Sequence, residues 1–302
     1  MVNAAPAGTL FVKEPGAAFV KKRTVSLSTR AFFIVSSGRS GTAMLHKVLS
    51  AAGDVEMHHE YMVQIVQPLA VKRYMGWVGA VEAEDVLRET FGAAVRHSDA
   101  AHWGDSSNKL SWLIPELAQL FPDAKFVHLA RDGRKVASSY FHKLGNENYD
   151  DRSVSVLAAH ARDPERNPAP PPEKKYWWPL ARPGDPFAAD FPAFDQFERI
   201  SWHWAEINRV ILEALAGLPT HRKLFAKLEN LEADPSDVRS LFAFIGLPYR
   251  DEHSAMFSRP HNVNRPEDRL LDADQARTFE RIAGRMMQTL GYAGAPEYVV
   301  KY

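Results

Sequence analysis

The chain has 302 residues, 45% hydrophobic and 25% charged, with 37 basic against 37 acidic side chains and no cysteine. That is the balance of a globular protein long enough to bury a core without disulfides. Zero net charge excludes a global pull on nucleic acid or an anionic membrane, so any anion site must be local, and the missing cysteine excludes thiolate metal sites and a cysteine nucleophile.

No apolar run reaches the length of a membrane-spanning helix. Residues 1–30 lack a charged start followed by an apolar core and read as an extended arm, so a cytoplasmic location is expected. The first clear unit is a strand over 31–35, a loop over 36–42 and a helix over 43–52 with Met44, Leu45, Val48 and Leu49 on one face. A short strand, Val55 to His58, follows, then a helix over 82–96. Leu110, Leu113, Ile114, Leu117 and Phe121 form a helical stripe in which Pro115 is tolerable only near the first turn. "AKFVHLARD" is a strand ending in charge at Arg131, and "GRKVASSYFHKLG" is a helix that starts at once after it.

Residues 163–192 hold nine of the twenty prolines and five large aromatics, so a packed loop without regular structure is expected there. A long helix carries Phe197, Ile200, Trp204, Ile207, Ile211 and Leu215 in phase; "KLFAKL" (223–228) reads as a buried strand. Helices over 237–245 and 272–290 close the chain, each followed by glycine. Strands alternating with helices predict an α/β fold: a three-layer, P-loop-like arrangement with a central parallel sheet, in one domain over 1–302.

Two stretches carry chemistry. "SSGRSGT", Ser36 to Thr42, offers a row of backbone N–H groups at a helix start, small residues that let an anion approach, and the planar cation of Arg39. It lacks the Gly-Lys-[Ser/Thr] of a nucleoside-triphosphate loop and the G-x-G-x-x-G of a dinucleotide loop. In "LARDGRKVASS", Arg131 ends a strand and Ser139 lies eight residues on, inside the next helix. Ligands of an open parallel sheet bind beyond the carboxyl ends of its strands, so Arg39 and Arg131 should share one edge and suit a ligand with two separated phosphates.

These two motifs, in this order and context, resemble the sulfotransferase family, whose donor is 3′-phosphoadenosine 5′-phosphosulfate (PAPS). The resemblance extends over "LIPELAQLFPDAKFVHLARDGR", "KLENLEADPSDVRSLFAFIGLPY" and "FERIAGRMMQTLGY", and is nearer to bacterial and carbohydrate-type members than to animal cytosolic ones. It implies that Ser37, Gly38, Arg39, Ser40, Gly41, Thr42 and Ala43 hold the 5′-phosphosulfate. Arg131 and Ser139 would hold the 3′-phosphate, with Arg265 in "HNVNRPEDRL" as a further contact. It implies Glu60, in "VEMHHEYM", as general base, with His58 and His59 as alternatives. Adjacent histidines on a strand point to opposite faces, so no metal site is expected.

Two departures stand out. Ser106 and Asn108 occupy positions where animal cytosolic members carry a lysine and a catalytic histidine, which leaves Lys109 as the nearby cation. The C-terminal Arg-Lys-Gly triplet of those members is also missing. Residues 147–195 form a proline- and aromatic-rich insertion, with Trp177, Trp178 and Arg182 as expected acceptor contacts. The expected activity is sulfuryl transfer to a small-molecule or carbohydrate acceptor, leaving adenosine 3′,5′-bisphosphate, with no nucleic-acid partner. The alternatives are a P-loop kinase or other phosphotransferase, and a non-catalytic nucleotide-binding relative.

Overall fold

The computed structural model describes residues 29–257 and 270–296. The expected N-terminal arm up to residue 28, and Arg265 with most of its loop, lie outside the described residues. Five strands, β1 (Arg30–Ser36), β2 (Val55–His59), β3 (His102–Ser106), β4 (Lys125–Ala130) and β5 (Lys223–Lys227), form one sheet in the order β2-β3-β1-β4-β5. Every pairing is parallel. Twelve α-helices connect them among the described residues: α1 (Thr42–Ser50), α2 (Val63–Tyr74), α3 (Ala80–Leu87), α4 (Ala93–His97), α5 (Ile114–Leu120), α6 (Gly133–Lys143), α7 (Asp151–Arg162), α8 (Gln196–Ala216), α9 (Leu228–Ala233), α10 (Pro235–Ile245), α11 (Asp251–Phe257) and α12 (Ala273–Thr289).

Alternation along β1 splits the core in two. Ala31, Phe33 and Val35 join one cluster with α2, α3, α5, α6, α8 and α12. Phe32 and Ile34 join the other with α1, α9, α10 and α11. Both faces of the sheet are therefore covered, which explains why the central strand reads as an unbroken apolar run. The six apolar residues expected on the long helix are all buried along α8.

The structure departs from the sequence reading in several places. The strand over 223–228 is β5 at the sheet edge, only half-buried, with Phe225 exposed. The helix expected over 82–96 is interrupted by a π turn at Arg88–Gly92. Strand β3 and helices α2 and α7 were not expected at all. The stripe around Pro115 is a 3-10 turn, Lys109–Trp112, followed by α5 with Pro115 in its first turn. Residues 163–192 hold only short 3-10 turns, yet Trp177, Trp178, Leu180 and Phe191 belong to the larger core cluster.

Candidate active site

The carboxyl ends of β1, β3 and β4 meet at one edge, and "SSGRSGT" crosses it. Gly38, Arg39 and Gly41 all have positive φ, at 78°, 53° and 91°. That left-handed backbone needs glycine at the two tightest points. A Cβ on Gly38 would lie 2.0 Å from the Tyr140 hydroxyl, and one on Gly41 2.7 Å from Leu228 Cδ1. Side chains hold the loop from within. Ser36 Oγ accepts from the Gly38 N–H at 3.0 Å, Ser40 Oγ donates to the Gly38 carbonyl at 3.0 Å, and Tyr140 Oη donates to the Ser37 carbonyl at 3.0 Å. No side chain caps the start of α1, whose N-cap is Gly41. The first N–H groups of that helix therefore face the loop's concavity without an internal side-chain acceptor.

The two separated motifs come together here. Arg39 Nε donates to Ser139 Oγ at 2.9 Å, across 100 residues of sequence. Arg131 Nη1 donates to the Arg39 carbonyl at 2.9 Å, across 92. Asp132, the neighbour that could have paired with Arg131, instead caps α6 and pairs with Arg134 at 2.6 Å. A carboxylate of α9 also enters this corner: Glu229 accepts from the Asp132 N–H at 2.8 Å. The sequence reading did not single out Glu229; its only signal was its place in "KLENLEADP".

The other half of the site sits at the ends of β2 and β3. His58 faces the Trp103 side of the sheet, with ring centroids 4.9 Å apart, while His59 faces α1, its ring 6.0 Å from His46. The opposite faces expected for adjacent strand residues are thus observed. His59 Nδ1 donates to the Ser106 carbonyl at 2.8 Å, which leaves Nε2 as the acceptor nitrogen. Desolvation holds the His59 imidazole below its ordinary pKa. Ser106, one of the two atypical positions, is therefore the anchor for His59 and also accepts the Glu60 N–H at 3.2 Å. Asn108, the other, donates to Tyr140 Oη at 3.4 Å.

Glu60 has a left-handed backbone, φ 57°, and its carboxylate is gripped from both sides. Lys109 Nζ bonds Oε1 and Lys174 Nζ bonds Oε2. Burial pushes this carboxyl up, but the two ammonium groups outweigh it and hold its pKa down to about 2. Lys109 is buried, 7% exposed. Behind the pair, buried Asp105 accepts the Tyr61 N–H at 3.2 Å, and desolvation pushes its carboxyl up to about 7. Asp105 had no place in the sequence reading because "HWGDS" carries no strand signal.

The side chains expected as acceptor contacts are committed to packing and pairing within the protein. Trp177 and Trp178 are core residues, 2% and 8% exposed, and their indole N–H groups donate to the Pro171 and Glu147 carbonyls. Arg182 is committed to a two-pronged pair with Asp185 and stacks 4.0 Å from the Tyr74 ring. Lys174, which was not anticipated, is the side chain of this segment that reaches Glu60.

The site thus combines a parallel α/β sheet, a loop without lysine at the end of β1 and a second cation at the end of β4. Residues 31–167 match the family model described as Sulfotransferase family. The matched stretch, a little under half of the chain, contains both loops. Among solved structures it is similar to the sulfotransferase from Alicyclobacillus acidocaldarius, at 15% identity over 87% of this chain and 96% of that one, TM-score 0.46. It is also similar to sulfotransferase STF9 from Mycobacterium avium, at 13% identity over 87% and 77%, TM-score 0.47. The sulfotransferase domain from the curacin biosynthetic pathway matches at 14% identity over 91% and 95%, TM-score 0.43. No curated protein matches the chain. Among the described residues no helix is long and apolar enough to cross a membrane.

Proposed function

We propose that this protein transfers a sulfuryl group from PAPS to a hydroxyl or amine of a small acceptor, by in-line displacement. One observation carries the reading: Arg39 bonds Ser139 while Arg131 bonds the Arg39 carbonyl. Two cations and a hydroxyl from two strand–turn–helix units are thereby assembled on one edge, the arrangement a two-phosphate ligand requires. The uncapped start of α1, preceded by a loop of small residues, supplies backbone N–H groups suited to a phosphate group.

Within this reading, Arg39 and the amides from Ser37 to Ala43 hold the 5′-phosphosulfate. Arg131 and Ser139 hold the 3′-phosphate. Charge develops on the oxygen that bridges sulfur to the leaving phosphate, so a cation fixed there stabilises the transition state more than the ground state. Glu60 takes the acceptor's proton, with neutral His59 beside it. The chain's own cations and N–H groups supply the charge compensation in this scheme.

Thermal shift with adenosine 3′,5′-bisphosphate against ATP plus magnesium tests the proposal. The bisphosphate is expected to stabilise the protein. Stabilisation by ATP alone would overturn sulfuryl transfer in favour of phosphoryl transfer.

A further inference from the structure

The carboxylate of Glu60 is shared by two lysines that differ in kind. Lys109 is buried, so its ammonium needs the Glu60 charge to remain there at all. Lys174 is 46% exposed on its side chain and has water as an alternative partner. The trio therefore holds one more positive charge than negative.

The backbone that delivers Lys174 is fixed. Gln67, itself 3% exposed, donates from Nε2 to the carbonyls of both Lys174 and Trp177, at 3.0 and 2.6 Å. Trp177 is buried, and its indole N–H is bonded to Pro171. The anchor thus sits directly under the lysine, and only the long side chain is left to swing. A cation mounted on a fixed support at the mouth of the site, whose present partner is the very carboxylate that would act as base, is placed to exchange that partner for another anion.

We propose that the acceptor carries an anionic group near its reacting hydroxyl or amine, and that this group takes Lys174 from Glu60. The inference rests on the sulfuryl-transfer reading and adds to it the class of acceptor. The chemistry is coupled. While Lys174 grips Oε2, Glu60 is a weak base and does not activate water against the bound donor. When an acceptor's anion takes the ammonium, Oε2 is released and its proton affinity rises toward the ordinary carboxylate value. Glu60 then removes the acceptor's O–H or N–H proton. The freed pair forms the bond to sulfur. The bond from sulfur to the bridging oxygen breaks, with its electrons left on the 5′-phosphate. Specificity and base activation thus use the same ammonium group.

The test titrates 4-hydroxybenzoate and its neutral isostere 4-hydroxybenzamide into the full chain saturated with adenosine 3′,5′-bisphosphate, by calorimetry. The benzoate is expected to bind about tenfold more tightly than the amide, the scale of one charge-assisted contact at a half-exposed site. Lys174→Ala is expected to remove that preference and Lys174→Arg to keep it, both with unchanged bisphosphate affinity. Equal binding of the two probes, no binding of the benzoate, or a preference that survives Lys174→Ala would each overturn the inference. Bisphosphate affinity is read separately: its absence in the wild type overturns the parent reading and this one together. Its presence with a failed probe experiment overturns this one alone.

Discussion

Tyr140 and Gly38 form a contact on which the shape of the phosphate-type loop depends. In Gly38→Ala the new Cβ would lie 2.0 Å from Tyr140 Oη and 3.1 Å from Cζ, at φ 78°. The left-handed backbone costs an L-residue about 1–2 kcal/mol. Forcing the ring aside in a packed core adds about 1–3 kcal/mol. The single change should therefore cost about 2–5 kcal/mol in urea unfolding. Tyr140→Phe removes the hydroxyl that donates to the Ser37 carbonyl, and costs about 1–2 kcal/mol for the acceptor left behind. In the double variant the overlapping oxygen is gone while the backbone strain stays. Its cost is expected to fall below the sum of the singles by about 1–2 kcal/mol, a coupling well outside the additivity of independent sites. Adenosine 3′,5′-bisphosphate affinity, measured on the same four proteins, should recover in parallel. Additive costs to within about 0.5 kcal/mol would refute the contact and the loop shape built on it.

Four further outcomes are expected. Glu60 has a folded-state pKa below its unfolded value of 4.5, so it contributes stability above that pH which is lost as pH falls toward about 2. The term is roughly 3 kcal/mol, and urea midpoints across the acid range should lose it in the wild type but not in Glu60→Gln. An acid limb of equal size in both proteins would contradict the two-lysine grip. Arg131→Ala should weaken bisphosphate binding by about 1.5–3 kcal/mol in calorimetry, whereas an unchanged affinity removes Arg131 from the site. Arg39→Ala should lower turnover more than donor affinity, because its contact strengthens in the transition state; a change in affinity alone would count against that role. Trp177→Ala should lose about 3–5 kcal/mol of stability, as befits a core indole, and near-wild-type unfolding would mean that the ring is not packed as described.

Much of the fold was legible because its signals are local. β1 and β4 are apolar runs cut off by small or charged residues, and a helix starts within a few residues of each. The stripe on α8 repeats at helical spacing for the helix's whole length, and every member of it is buried. β3 was illegible for the opposite reason. "HWGDS" contains a glycine and three polar side chains, and it is a strand because β1 and β2 hold it from both sides. α2 hid behind Pro68, which reads as a helix breaker, and β5 looked buried because its apolar residues do not reveal an edge. The tryptophans of the 163–192 segment show the limit of composition. An aromatic in a proline-rich loop can cover a ligand or fill a core, and the choice is made by neighbours far away in sequence, such as Gln67.

The sequence by itself determined the two strand–turn–helix loops, since glycine, small polar residues and an arginine at a strand end act within a few residues of one another. It also determined the parallel sheet, through the alternation of strand and helix. Tertiary structure decided what these parts do together. Folding set Arg39 against Ser139, used Ser106 to orient His59, and buried Lys109 beneath Glu60. Above all it brought Lys174 across 114 residues to share that carboxylate. The physical reason is range: backbone geometry and periodicity are short-range properties, whereas the charge state of Glu60 depends on which distant ammonium groups the packed chain delivers to it.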